Sequence, residues 1–254
     1  MSLETEFTRE YFERMASLED THPWTRGMRK ITFELLKRHA RQVKRVLDVG
    51  CGTGRFLREW REIGAKEVFG ADLYTAALEF ARERCKGQWA AASAAALPFV
   101  DASFDALHCA DVIQHLTFKD AEIAFNEFAR VLRPGGIVAL RVGARRTTGT
   151  KPEVDYSHSY RVRELRAELK KRNFDVLFLA RVNALPSLYA ELQEKPMHDA
   201  PVKHIEDRAQ HDPRSQMLET YLQWERHWLL ATGISLPWGH TIIAIARKNA
   251  THLS

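Results

Sequence analysis

The sequence predicts an α/β fold: a parallel sheet, doubly wound, with helices on both faces. Three observations carry this. Between residues 45 and 142, five short runs of β-branched and aliphatic residues alternate with stretches of helical periodicity. The first run, Val46 to Val49, closes on three glycines at alternate positions, Gly50, Gly52 and Gly54, and a helix follows. The second run also ends on an acid, Asp72. Strands alternating with helices of this length require right-handed crossovers between parallel neighbours.

In chain order, Leu3, Phe7, Tyr11, Met15 and Leu18 fall at helical spacing among charges and predict an amphipathic helix, whose periodic face reads as packing. Pro23 and Gly27 interrupt the pattern, so residues 21–29 read as a loop before a helix from Lys30 to Gln42. That loop carries Trp24, Arg26 and Arg29, and reads equally as a lid or a connector. After Gly52 come a helix from Thr53 to Ile63, a strand from Val68 to Leu73, a helix from Thr75 to Cys85, and a weak strand from Gly87 to Ala91. A strand from Phe104 to Ala110, a helix from Lys119 to Leu132 and a strand from Ile137 to Val142 complete the alternation. Beyond it, a helix from Val162 to Lys171 precedes a sixth strand, Phe174 to Ala180. A seventh strand runs from His240 to Ala246. Between the last two lies an insert with helical pieces from Leu185 to Gln193 and from Ser215 to Thr232, the second carrying Met217, Tyr221, Trp224, Trp228 and Leu229 at helical spacing, a stripe that reads mostly as packing against the sheet.

Composition narrows the class. With 254 residues the chain can bury a full core, and 38 Lys and Arg against 33 Asp and Glu leave a formal charge of +5, which permits an anionic partner without requiring one. Cys51, Cys85 and Cys109 are odd in number and lack metal-ligand or C-x-x-C spacing, which suits a reducing compartment. No signal-like leader and no apolar run of about 20 residues is present, so the expectation is a soluble cytoplasmic protein without a membrane span.

The ligand of the glycine turn can be argued from two acids. A dinucleotide fold uses G-x-G-x-x-G, whereas these glycines are evenly spaced. Asp48 at the turn would repel a pyrophosphate and attract an ammonium, the helix start near Thr53 favours a carboxylate, and Asp72 is placed for a ribose diol. An amine, a carboxylate and a ribose together describe S-adenosyl-L-methionine. Each feature also has a plainer reading, as a tight turn or a helix cap.

Three motifs then carry a family resemblance over residues 45 to 143. Val46-Leu47-Asp48-Val49-Gly50-Cys51-Gly52-Thr53-Gly54, Leu97-Pro98-Phe99-Val100-Asp101-Ala102-Ser103-Phe104-Asp105 and Arg130-Val131-Leu132-Arg133-Pro134-Gly135-Gly136 follow in order. They resemble the class I S-adenosylmethionine-dependent methyltransferases, especially the ubiquinone and menaquinone methyltransferase group. The resemblance implies a Rossmann-like seven-stranded sheet with an antiparallel last strand. On that expectation residues 1–42 form a helical cover, 43–182 with 240–250 the cofactor-binding core, and 183–239 a helical insert serving as a substrate cap. It also implies that Asp48, Gly50, Cys51, Gly52 and Thr53 hold the methionine end, that Asp72 and Leu73 hold ribose and adenine, and that Ala110 lies beside them. The family usually carries Asp where this chain has Ser93. A hydroxyl can still accept a hydrogen bond there, more weakly than a carboxylate, and Ala94 still offers its N–H.

A sulfonium methyl is electrophilic, so the protein mainly has to align a nucleophile and exclude water, and no metal is expected. Asp111 and His115, after the fourth strand, are the candidates for base or acceptor orientation, although packing or capping is the favoured reading for His115. Trp24, Tyr156, His158 and Trp224 are candidate acceptor contacts. The leading expectation is methyl transfer to a hydroxyl, amine or carbon of a small molecule, releasing S-adenosyl-L-homocysteine. A wobble-uridine tRNA methyltransferase is the alternative, suggested by Tyr156-Ser157-His158-Ser159-Tyr160 and the basic residues after the fifth strand. The acids interspersed there favour a solvated mixed-charge face instead. A non-catalytic cofactor-binding partner protein also remains open.

Overall fold

Strands β1 (Arg45–Val49), β2 (Glu67–Asp72), β3 (Gln88–Ala91), β4 (Phe104–Ala110), β5 (Leu132–Gly143), β6 (Phe174–Val182) and β7 (Thr241–Lys248) form one sheet in the order β3-β2-β1-β4-β5-β7-β6. Every pairing from β3 through β5 is parallel, while β7 runs antiparallel to both β5 and β6. The computed structural model describes residues 7–40, 42–145, 159–192 and 213–250. Its helices are α1 (Arg9–Thr21), α2 (Pro23–His39), α3 (Arg55–Glu62), α4 (Thr75–Arg84), α5 (Phe118–Val131), α6 (Val162–Lys171), α7 (Ala184–Leu192) and α8 (Pro213–Thr232).

The strands are apolar on both sides because both faces are covered. Alternate residues divide between two cores. Leu47, Val49, Leu107 and Cys109 face α5 and α6, whereas Val46, Ala106, Ile137 and Ala139 face a layer to which α2, α3 and α8 contribute. By the same alternation Asp48 points with Val46 into the second core, opposite His108 of β4.

The two later motifs are one structural clamp. Glu127 of α5 accepts the Leu97 N–H at 2.8 Å, and Arg130 donates to the Phe99 carbonyl at 2.6 Å, the Leu97 carbonyl at 3.0 Å and Asp101 at 2.8 Å. Asp105 accepts the N–H groups of Lys44 and Arg45 at 2.5 and 3.0 Å and pairs with Arg133 at 2.7 Å. The loop after β3, which carries Ser93 and Ala94, is thereby tied to α5. Replacing Arg130 by alanine is expected to cost about 2 kcal/mol in urea unfolding, because two carbonyls and the carboxylates of Asp101 and Glu127 lose their donor together. Lysine at the same position should recover only part of the loss, having no planar fork.

Two expectations are corrected. Residues 23–29 are not a loop: Pro23 sits in the first turn of α2, where a missing N–H costs nothing, and the chain breaks only at His22. Gly27 lies inside that helix because a Cβ there would stand 2.5 Å from Leu222 Cδ1 of α8. With Arg29 buried against Glu59 at 2.8 Å and Arg26 paired to Glu219 of α8 at 2.8 Å, this segment is a packed helix and not a lid. On α8, the inward face is made by Leu222, Glu225 and Leu229, while Met217, Trp224 and Trp228 of the expected packing stripe are exposed. Glu225 is turned inward because it accepts the N–H groups of Asn183 and Ala184, capping α7, at 2.8 and 3.0 Å. Among the described residues no helix is long and apolar enough to cross a membrane.

Candidate functional site

The glycine turn lies at the C-terminal ends of β1 and β2. Gly50 and Cys51 donate to the Ala71 carbonyl at 2.7 and 3.1 Å, and Gly50, Gly52 and Gly54 all have left-handed φ, +68°, +51° and +75°. The space given up by their missing side chains is used. A Cβ on Gly50 would stand 2.0 Å from Val112 Cγ2, and one on Gly52 would stand 2.6 Å from Met15 Cε of α1.

Three carboxylates surround this turn. Asp72 is buried and accepts the Gly52 N–H at 2.9 Å with one oxygen and the Tyr74 N–H at 3.0 Å with the other. Burial raises its pKa, backbone donors lower it, and the charge of Asp48 raises it again. Asp48, 2% exposed, bonds His108 Nδ1 at 2.7 Å beneath the turn, and the imidazole stacks on Phe56 at 3.7 Å. His108 Nε2 is buried without a protein partner among the described residues. Glu19 of α1 bonds the Thr53 hydroxyl, and Arg84 donates to Glu19 at 2.5 Å and to Thr53 at 2.7 Å. The Cys51 thiol registers the combined field: burial first, then the charges of Asp48 and Asp72, with a further contribution from Glu19, push it well above the ordinary thiol range.

Around the turn the other expected residues are spread along the C-terminal edge. Leu73, 60% exposed, follows Asp72. Ser93 accepts the Ala95 N–H at 3.2 Å, Ala94 is buried, and Ala110 pairs with Arg141 at the end of β4. Asp111 adopts φ +57° and holds Arg141 through its Nε at 2.9 Å and its Nη2. Arg141 in turn lies 5.7 Å from the Trp24 ring centroid, within cation–π range. Trp24 and Asp111, distant in sequence, therefore meet through an arginine that was not singled out as a site residue. His115 is exposed and contacts Phe7 edge-on, with ring centroids 6.2 Å apart. Trp224 is exposed on α8, stacked on Trp228. Tyr156 and His158 lie outside the described residues.

A second polar group borders Trp24. The rings of Trp24 and His240 lie nearly parallel with centroids 6.5 Å apart, and His240 Nδ1 contacts the Ser187 hydroxyl at 2.6 Å. Burial holds His240 down to about 4, with Asp111 opposing. The unfolded chain takes up that proton near pH 6.5 and the folded one only near pH 4, so this group's contribution to stability is lost as pH falls through that window. Wild-type protein is expected to lose on the order of 2 kcal/mol between pH 7 and pH 5 through this residue. Urea titrations at the two pH values should find that loss reduced in His240→Gln.

With this geometry in hand, residues 47–140 match the family model for a methyltransferase domain. Over these residues the chain is similar to the class I S-adenosylmethionine-dependent methyltransferases. It is 32% identical over 150 residues to the ubiquinone/menaquinone biosynthesis C-methyltransferase of Laribacter hongkongensis, covering 56% of this chain and 60% of that protein. It is 36% identical over 146 residues to the malonyl-[acyl-carrier protein] O-methyltransferase of Pseudescherichia vulneris, covering 56% and 55%. Over 101 residues it is 38% identical to the mouse Probable tRNA methyltransferase 9B, covering 39% and 22%. The matched region thus spans about 60% or less of the length of these relatives. Among solved structures, the methyltransferase in complex with the Haloferax volcanii Trm112 activator superposes over 100% of both chains with a TM-score of 0.65 at 19% identity, a likeness of fold.

The residues present fit the family's methyl donor. A glycine turn packed against Val112 and Met15 sits in the field of Asp48, Asp72 and Glu19, and a ligand bearing ammonium and sulfonium groups suits that field. Among the described residues no cluster of three His, Cys, Asp or Glu is placed to hold a metal ion.

Proposed function

We propose that the protein is an S-adenosylmethionine-dependent methyltransferase acting on a small-molecule acceptor. The observation that carries this reading is the convergence of Asp48, Asp72 and Glu19 on one glycine turn, with Asp111, Arg141 and Trp24 next to it at the tips of β4 and β5. In this reading Gly50, Cys51, Gly52 and Thr53 flank the methionine end. Each Asp72 oxygen accepts one N–H and retains a lone pair for a ribose hydroxyl. Leu73 and Ala94 supply apolar sides for the adenine, and Ser93 a polar contact in place of the family's acid. The cofactor, when bound, supplies an electrophilic methyl group on a sulfonium.

The chain's own contribution is placement. Asp111 fixes the Arg141 guanidinium, and Trp24 covers it, which supports these three as the acceptor floor and makes Asp111 an orienting group more than a free base. α7 and α8 would cap this end, with His240 and Asn183 on the side next to Trp24. A small acceptor is in keeping with the quinone-pathway relative. The tRNA reading draws on a relative of that name. Against it, Arg145 and Arg161 lie within 3.6 and 3.8 Å of Glu164, Lys171 pairs with Glu122, and Arg172 pairs with Glu168. Phosphates would have to displace those acids.

Incubation with methyl-labelled S-adenosylmethionine and a panel of phenols, amines, carboxylic acids and bulk tRNA tests the proposal. Label is expected in a small acceptor, with stoichiometric S-adenosylhomocysteine. Label in tRNA alone would replace the acceptor class, and cofactor binding without transfer to any acceptor would favour a non-catalytic partner protein.

A further inference from the structure

The opposite end of the sheet carries a cationic cleft that the methyltransferase reading does not use. It has a volume of about 370 Å³ and is lined by Arg38 and His39 at the end of α2, Val43, Asp105, Arg133, Gly135 and Ile137 at the entries to β4 and β5, and Arg247 from β7. That volume lies within the range of small-ligand pockets. All these positions lie at the end of the sheet where the parallel strands start and β7 finishes. β1 has five residues, so the cleft is separated from the glycine turn by roughly 15 Å of strand.

The charges in this cleft are out of balance. Its single lining carboxylate, Asp105, is occupied by the N–H groups of Lys44 and Arg45 and by the Arg133 guanidinium. The side chains of Arg38 and Arg247 have no hydrogen-bond or ion-pair partner among the described residues. Asp175 is the register partner of Arg247 across β6 and β7, yet forms no ion pair with it among the described residues. Elsewhere Arg26, Arg29, Arg55, Arg84, Arg130 and Arg172 are paired to acids, whereas here two guanidinium groups line a cleft whose carboxylate is already taken. The two free arginines are also close enough to His39 that, after burial, their positive charges hold its imidazole below the ordinary histidine range.

Helix electrostatics accounts for part of this arrangement. Lys37, Arg38 and His39 complement the negative C-terminal end of α2. That explanation does not reach Arg247, which arrives on a strand from the far end of the chain, or Arg133, which comes from β5. Three guanidinium groups from three separate elements face one cleft with one carboxylate among them, leaving an excess of positive charge that a doubly charged anion would neutralise.

We propose that this cleft is a binding site for a phosphoryl group, taken either as free phosphate or as the phosphomonoester of a small molecule, held by Arg38 and Arg247 with Arg133 at its rim. It is distinct from the candidate methyl-transfer site and does not depend on that reading.

Calorimetric titration of the full chain with inorganic phosphate, adenosine 5′-monophosphate and adenosine, at constant ionic strength set with chloride, tests it. Saturable binding of phosphate or the monophosphate is expected, with none for adenosine. Tighter binding of the monophosphate would assign a phosphomonoester, and equal binding a free phosphate. Both arginines are exposed, so Arg38→Gln/Arg247→Gln should fold, and its phosphate affinity should fall at least about tenfold, the loss of one charge-assisted contact or more. Each single variant should fall by less, and S-adenosylhomocysteine binding should be unchanged in all three. Absence of phosphate and monophosphate binding at matched ionic strength, or unchanged affinity in the double variant, would overturn the assignment.

Discussion

Replacing Asp72 by alanine is expected to weaken S-adenosylhomocysteine binding by about 100-fold, or about 2.7 kcal/mol. The carboxylate joins two parts of the proposed seat, accepting from Gly52 in the glycine turn and from Tyr74 at the start of α4. Its removal leaves two N–H groups without their acceptor and deprives a ribose diol of its partner. Asparagine should give an intermediate loss, since its single carbonyl oxygen can replace one of the two acceptors and carries no charge. Titration calorimetry on the three proteins measures this directly. An affinity unchanged within twofold in Asp72→Ala would remove Asp72 from the seat.

The second large effect is at Gly50. Alanine there faces two separable costs: a left-handed φ of +68°, and a Cβ placed 2.0 Å from Val112 Cγ2. Left-handed strain costs about 1 to 2 kcal/mol and overpacking about 1 to 3 kcal/mol, so Gly50→Ala should lose about 3 to 4 kcal/mol of unfolding free energy and with it cofactor binding. Gly135→Ala supplies the control, because φ there is +79° with no atom within 4 Å of the added Cβ, and only the strain remains. Trimming the obstruction with Val112→Ala in the Gly50→Ala background should restore part of the difference. Urea unfolding of wild type, Gly50→Ala, Val112→Ala and the double variant forms a double-mutant cycle, and full additivity would show that Val112 is not the obstacle.

The sheet and its glycine turn were legible because each strand is a short apolar run ended by an acid or a turn residue, and both faces are covered. The start of α2 was not, since Pro23 and Gly27 have two opposite meanings. Proline breaks a helix interior but opens a first turn, and glycine weakens a helix unless another helix needs the space, as Leu222 does here. On α8, periodicity marked an amphipathic helix but misjudged its inner face. The deciding residue is Glu225, whose backbone partners lie 41 and 42 positions away.

At the site, Asp48 and Asp72 could be read from their places at strand ends. The Glu19, Thr53 and Arg84 triad and the Asp111 and Arg141 pair could not, because each joins elements separated by 30 residues or more. The motif Arg130 to Gly136 marked the family, but only the geometry shows why its Arg130 and Arg133 are arginines: one clamps the loop after β3, and the other pairs with Asp105 at the entry to β4.

The central claim, that the glycine turn ringed by Asp48, Asp72 and Glu19 seats the methyl donor, is tested most directly by titrating S-adenosylhomocysteine into the wild-type protein. One saturable site is expected, with a melting temperature that rises with ligand concentration by linkage. No heat and no shift at millimolar ligand would contradict it.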